Sequence, residues 1–472
     1  MPLTALVFWI TYAVGICAAV FNPVTGLALY VLVYHINPET QWWGGAARAI
    51  GLRTSFTVAL AAALGVLIRQ PRLEHGARQF QVQYVLALLL GIVALCSLAW
   101  GIELSDRGEY QAEKYVKLMV ILYLLVRCVR TPAHYHLILL AWLAGVAYMG
   151  YQAWGGVGRS IGGRLTAGVG GPDFEDSSAL AVHLVATLPL IGACFFMART
   201  WLGRIFALVT GALATNMLVM TRTRNALAGL AAVTFSTIFS LPRGYRMKGL
   251  AAVVVGTLAA IQLTDPAWWT RMKTVSEYQH DSSATWRIRF WQAAVEMAND
   301  YPLGIGLGNF HQTVMKYIPD LKTLRSAHNT LVTCLAELGW FGLVLFLGVF
   351  GFTILRLGHV RRASLALPAK IEVQVFRWRA GFHLGWHTIA LRAALLGYLA
   401  GAMFTTRLFA EDLWLLIGFA MCLYNVSKHM AAESALDDSH VRTAPGWHSA
   451  PPERLALPLP VVNKVDHAAS WR

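Results

Sequence analysis

The sequence predicts an all-α, polytopic membrane protein of about 12–13 transmembrane helices with one large extracytoplasmic loop. Three observations carry this. Apolar runs long enough to cross a bilayer, which takes roughly 20 residues, recur from Leu3 to Val426. Only 13% of the 472 residues are charged, about half the share in an average soluble domain, too few to cover a water-exposed surface. The basic residues also fall in alternate loops, as the positive-inside bias of cytoplasmic segments requires.

In chain order the apolar runs place helices at 3–20, 23–35, 55–69, 83–100, 115–130, 135–153, 177–197, 201–219, 225–241, 248–263, 330–355, 385–404 and 411–427. The first two count as one broken span or as two, because Pro23 follows Asn22 between them. No basic residue precedes the first run and a second follows at once, so no cleaved signal peptide is expected. The chain reads as one membrane domain over 1–428, with a cytoplasmic tail over 429–472. That tail lacks apolar periodicity, contains Ala-Pro-Gly and Pro-Pro breaks, and is expected to be disordered.

Loops holding Arg69, Arg72 and Arg78; Arg127 and Arg130; Arg199 and Arg204; Arg243, Arg246 and Lys248; and Arg356 to Arg379 are expected in the cytoplasm. By alternation the acid-rich stretch Glu103 to Glu113, the glycine-rich segment 155–176, the turn 220–225 and the long loop 264–329 face outward. The net charge of +15 sits in these clusters between apolar runs, which argues against nucleic acid as a partner and for membrane lipids. All six cysteines lie in or beside apolar segments, with no CxxC or Cys/His ligand spacing, so neither a disulfide framework nor a zinc site is expected. There is no internal repeat of the kind many transporters carry.

Arg164, Arg222, Arg224, Arg287 and Arg289 fall on the side where the bias depletes basic residues. Anion binding would account for them, since the planar guanidinium fork pairs with phosphate through two charge-assisted bonds. The alternative is pairing with Asp173, Glu175 and Asp176, or with lipid headgroups. In the long loop, Asp281-Ser282-Ser283 offers N-cap residues for a helix over 284–299. Arg287, Trp291, Ala294 and Ala298 then share one face, with Arg287 in the first turn, where free amides and the helix dipole favour an anion. The alternative for this helix is an amphipathic segment resting on the bilayer, anchored by Trp286, Phe290 and Trp291. His328, where the loop re-enters the membrane, is a candidate proton acceptor. The glycines of 302–309 fit neither GxGxxG nor a Walker motif and read as a flexible turn. Asp173 to Asp176 read as the cap of the helix beginning at Ser177 in preference to a metal site. Glu337 and Arg392, inside spans, are expected to have partners.

An ordered set of short motifs carries a resemblance. These are Thr223-Arg224-Asn225-Ala226-Leu227, Ser283 and Arg287 with Trp291, Tyr301 to Phe310, Ala327-His328-Asn329, and Ala336-Glu337-Leu338-Gly339. Over about residues 160–350 the sequence resembles the O-antigen ligase and polymerase superfamily of bacterial inner-membrane glycosyltransferases. Phe21-Asn22-Pro23 through Ile36-Asn37-Pro38 are similar to its O-glycosylation ligase branch. The chain departs from the commoner Ser-Arg-Gly at Thr223-Arg224-Asn225 and adds Arg222. The resemblance implies a donor glycan on undecaprenyl diphosphate, transferred on the periplasmic face of the inner membrane to an acceptor hydroxyl on a glycan, a lipid A core or a protein, without nucleotide, metal or other cofactor. It makes His328 the candidate catalytic base and Arg224 and Arg287 the diphosphate ligands, with Arg222, Arg289 and Arg164 as further candidates. A polymerase that uses a second lipid-linked unit as acceptor and a flippase without bond chemistry are the competing expectations.

Overall fold

Each of the predicted apolar runs is a helix in the computed structural model, which describes residues 3–70, 77–264, 269, 282–367, 371–375 and 378–443. The first part of the bundle comprises α1 (Leu3–Phe21), α2 (Pro23–Ile36), a short α3 (Gly45–Ala49), α4 (Thr54–Arg69), α5 (Val82–Trp100), α6 (Asp106–Cys128) and α7 (Pro132–Trp154). After a hairpin of β1 (Arg159–Ile161) and β2 (Arg164–Ala167) come α8 (Ser177–Met197), α9 (Trp201–Thr221), α10 (Asn225–Ser240) and α11 (Arg243–Leu263). An outer lobe contains α12 (Ser282–Asp300) and α13 (Phe310–Tyr317), and the chain returns through α14 (Thr330–Ala363). A second hairpin of β3 (Ile371–Val375) and β4 (Trp378–Phe382) precedes α15 (Leu384–Ala402) and α16 (Glu411–Thr443).

Among the described residues six helices, α1, α5, α7, α8, α9 and α14, are long and apolar enough to cross a membrane, and α4 and α10 are shorter apolar helices. Residues such as Leu6, Ile10 and Val14 on α1 and Ile92 and Leu95 on α5 are exposed, the lipid-facing belt expected where water is absent outside the bundle. Small residues let helices meet closely: a Cβ on Gly229 of α10 would lie 3.0 Å from the Gly397 carbonyl oxygen of α15.

Several expectations change. α1 and α2 are separate helices, with the Asn22 side chain accepting from the Val24 amide at 3.2 Å. α6 starts at Asp106, ahead of its apolar run, because Ser105 caps it and Asp106 and Glu109 favour the positive helix end. The two hairpins carry no strong alternating pattern and were not anticipated. Asp176 occupies the N-cap position of α8 but makes no capping hydrogen bond. Residues 429–443, expected to be disordered, are helical, in keeping with strong helix formers such as Ala431, Ala432, Glu433 and Ala435; residues 444–472 lie outside the described residues. So does Asp281, and with it the proposed cap of α12.

Residues 302–309 form a tight turn instead of a flexible one. Gly304, Gly306 and Gly308 all have φ between +78° and +94°. A Cβ on Gly304 would lie 2.6 Å from the Gly339 amide nitrogen, and one on Gly306 would lie 2.6 Å from the Gly101 Cα. Only glycine meets both demands. Gly339 (φ +69°) breaks α14 at the same contact, so the lobe turn sits inside the kink of the membrane helix.

The loops form two groups by contact. The β1–β2 segment, the 221–225 turn and the lobe meet residues 100–107 and 403–411. Arg78 meets Asn425, Arg199 pairs with Glu372, Ala198 bridges Ala380, and Arg361 meets the Ser240 carbonyl. These two groups match the two sets of loops that the alternation of basic residues separates.

Candidate active site

The lobe packs its own small core of Phe290, Ala294, Met297, Ile305, Phe310, Val314, Ile318 and Ala327. Trp286 and Trp291 rest against this core and Phe290 is buried in it, so these rings hold the lobe together. The Trp291 indole N–H donates to the Ala327 carbonyl at 3.1 Å. The face shared by Trp291, Ala294 and Ala298 thereby lies against the segment just before His328, which brings Arg287 to the histidine.

His328 is pinned from both sides. Ahead of it, Ala327 is fully buried; behind it, the Asn329 side chain caps α14 by accepting from the Leu331 and Val332 amides at 3.0 and 3.2 Å. Thr330 Oγ1 donates to the Thr405 carbonyl at 2.8 Å and accepts from the Arg407 amide at 2.9 Å. His328 itself adopts a left-handed backbone, φ +47°, a conformation that residues with a Cβ enter at a cost of order 1–2 kcal/mol. Arg222 is left-handed too, at φ +46°. Burial, then the Arg287 charge, lower the His328 pKa from the usual histidine range; Asp176 opposes them and Arg325 adds to them. The neutral imidazole is thereby favoured at pH 7, and its Nε2 lies 3.4 Å from Ser326 Oγ.

Asp176 connects this histidine to the other arginines. Beside it, Ser177 Oγ accepts from Arg164 Nη2, and Arg164 Nε donates to the Thr221 carbonyl at 2.9 Å. Arg164 so ties β2 to the start of α8 and the end of α9. Arg222 Nη1 donates to the Gly162 carbonyl at 3.0 Å, closing the turn onto the hairpin. Arg224 stands at the N-cap position of α10, which has no side-chain cap, while Asn225 Nδ2 holds the Ser178 carbonyl at 2.9 Å. A helix N-terminus flanked by arginines favours an anion through both its amides and its dipole. The structure thus gathers Arg164, Arg222 and Arg224 around one turn and places Arg287 at His328. Arg289 points elsewhere: its fork makes two bonds to Asp320, at 2.6 and 2.7 Å, and stacks over Trp286.

Beneath the site is a buried ionic node. Arg407 Nη2 donates to Asp412 Oδ1 at 2.6 Å and its Nε to Tyr398 Oη at 3.0 Å, and His183 Nδ1 lies 3.2 Å from Asp412 Oδ2. Arg407 Nη1 also donates to the Asp173 carbonyl at 2.5 Å, and Asp173 pairs with Lys114 and accepts from the Tyr34 hydroxyl and the Glu411 amide. A buried pair contributes little net stability but constrains the elements it joins. Here it fixes the loop that clamps Thr330, two residues from His328. Among the described residues no group of three or more His, Cys, Asp or Glu forms a metal-binding cluster. Glu337 has its partner, the Phe310 amide at 3.4 Å; the buried Arg392 Nε has no hydrogen-bond partner among the described residues.

Sequence reasoning missed His311, Arg107 and Arg325. His311 faces Arg107 at 3.0 Å and interacts electrostatically with His328. Arg107 is the one basic residue within Glu103 to Gln111 of the acid-rich outward loop, so the depletion argument that singled out the other arginines applies equally to it.

Fold and site together define a polytopic membrane protein with a histidine and an arginine cluster at one end of its bundle. Residues 206–347, under a third of the chain, match the family model described as O-antigen ligase. The match runs from within α9 to within α14 and contains Arg222, Arg224, Arg287 and His328. Over this stretch the chain is similar to the O-antigen ligase family, which supports glycan transfer of the ligase type in general. Among curated proteins no match was found.

Proposed function

We propose that the protein transfers a glycan from undecaprenyl diphosphate to an acceptor hydroxyl on the periplasmic side of the bacterial inner membrane, with inversion and without a metal. The observation that carries this reading is a backbone-constrained His328, acted on electrostatically by Arg287 and Asp176, inside the region matched by the O-antigen ligase model. The acceptor oxygen forms its bond to the anomeric carbon as the bond from that carbon to the diphosphate oxygen breaks. His328 takes the acceptor proton, and the electron pair leaves with the lipid diphosphate. Arg224 and Arg287, with Arg222 nearby, stabilise the charge developing there. Arg164 holds the turn in place, and Arg289, bonded to Asp320, is assigned no part in this step.

Purified protein in liposomes, given a lipid-diphosphate glycan and an acceptor, tests this directly. One glycan added per acceptor, with one lipid diphosphate released, is the expected result and is unchanged by a chelator. A ladder of products means polymerisation, and donor movement without a new bond would overturn the enzymatic reading.

A further inference from the structure

We infer that Arg107, aimed by His311, forms an anion-binding subsite for the acceptor, so that the acceptor carries a phosphate or carboxylate near the hydroxyl it offers. This rests on the transferase reading above and specifies its second substrate.

Arg107 lies in the first turn of α6, with Glu103, Asp106 and Glu109 all within about a turn along the chain. Among the described residues none of these, nor any other carboxylate, is within ion-pair distance of it. Its guanidinium turns instead to a neutral partner: Arg107 Nη1 lies 3.0 Å from His311 Nε2. Since a guanidinium only donates, that nitrogen must be the unprotonated one. Burial, with the charge of Arg107 itself, pushes the His311 pKa down to about 4, which keeps the ring an acceptor at pH 7. A paired carboxylate would have neutralised Arg107, whereas an imidazole orients it and leaves its other N–H donors for a ligand; the buried Glu337 carboxyl feels the same charge without pairing with it.

The position suits the acceptor. His311 is the second residue of α13, whose first amide, that of Phe310, donates to Glu337 at the membrane-helix kink, and residues 101–108 close onto the lobe turn through Ile102, Ser105 and Glu103. His311 in turn interacts with His328. Arg287, assigned to the donor, acts on His328 directly, while Arg164, which holds the neighbouring turn, bonds Ser177 beside Asp176. Arg107 thus adds a cation on the lobe side of the site to the arginines assigned to the donor, and a transferase with one anionic leaving group needs only the latter. Arg325, exposed and also felt by His328, strengthens the lobe side.

The test uses the full chain in phosphatidylcholine nanodiscs titrated with glucose 6-phosphate, glucuronate and glucose. The two anionic sugars should bind and glucose should not. Arg107→Gln should weaken anion binding at least tenfold and Arg107→Lys by less. His311→Gln, which keeps an acceptor atom, should retain most binding, and His311→Leu should lose it. Lys316→Gln, on the same lobe helix, is the control for general charge. Equal weakening by Lys316→Gln, or glucose binding as well as the anions, would overturn the subsite. Abolition of sugar binding by phosphatidylglycerol in the discs would reassign it to a lipid headgroup. In the transfer assay, Arg107→Gln should raise KM for an anionic acceptor at least tenfold, with kcat and donor KM nearly unchanged. It should not alter KM for the same acceptor without its anionic group, and an equal rise for both acceptors would sink the assignment. A wild type that transfers nothing would refute the transferase reading, while the binding arms would still decide the subsite.

Discussion

Replacing His328 by asparagine separates the chemistry of the imidazole from the shape of its turn. The left-handed backbone at φ +47° is tolerated by asparagine better than by most residues, and the flanking clamps through Ala327, Asn329 and Thr330 do not involve the ring. The substitution should therefore leave folding and donor binding near wild type. A lost general base slows transfer by roughly 100- to 10,000-fold, or about 2.7–5.4 kcal/mol at 1.36 kcal/mol per decade. Single-turnover transfer in proteoliposomes, measured beside binding of the lipid-linked donor, reads the two quantities separately. The pH profile adds a signed check. Because the His328 pKa is lowered, the reactive neutral form persists below the usual histidine range, and wild-type kcat/KM should fall only at lower pH. Arg287→Gln removes a charge that lowers this pKa and should move the acid limb to higher pH. Asp176→Asn removes the charge that raises it and should move the limb to lower pH. Turnover of His328→Asn or His328→Gln within threefold of wild type, or acid limbs that move the same way in both charge variants, would refute proton transfer by His328.

Three further outcomes are expected. Arg224→Ala and Arg287→Ala should each cost about 1.5–3 kcal/mol of transition-state binding, the worth of a charge-assisted contact, with partial rescue by lysine; Arg289→Ala, whose fork serves Asp320, should stay within about threefold of wild type in the same assay. Cysteines introduced at Gln292 or Lys316 should react with an impermeant thiol reagent added outside the cytoplasmic membrane, while those at Arg362 or Glu372 should not, and reversed labelling would invert the assigned orientation. Gly304→Ala should destabilise the lobe by roughly 1–3 kcal/mol, since it combines a left-handed φ with a clash against Gly339 and Glu337; thermal unfolding in detergent with the midpoint of wild type would show that the turn is looser than its packing implies.

The sequence by itself determined the apolar helices and the alternation of basic loops from which an orientation is expected. Bilayer crossing demands long apolar runs and the orientation bias acts on loop charge, and both are one-dimensional properties of a chain. It also determined that Arg164, Arg222, Arg224, Arg287 and Arg289 were out of place electrostatically, because depletion of arginine can be read residue by residue. Which of them share a site was decided only by tertiary structure. Arg287 and Arg289 are two positions apart, yet the turn of α12 sends one toward His328 and the other to Asp320. Arg107 and His311, about two hundred residues apart, meet because three glycines let the lobe turn fold between residues 101–108 and the kink of α14. Close backbone approach depends on positive φ and on the absence of a Cβ at several distant positions at once, a coincidence in space that no local pattern in the chain records.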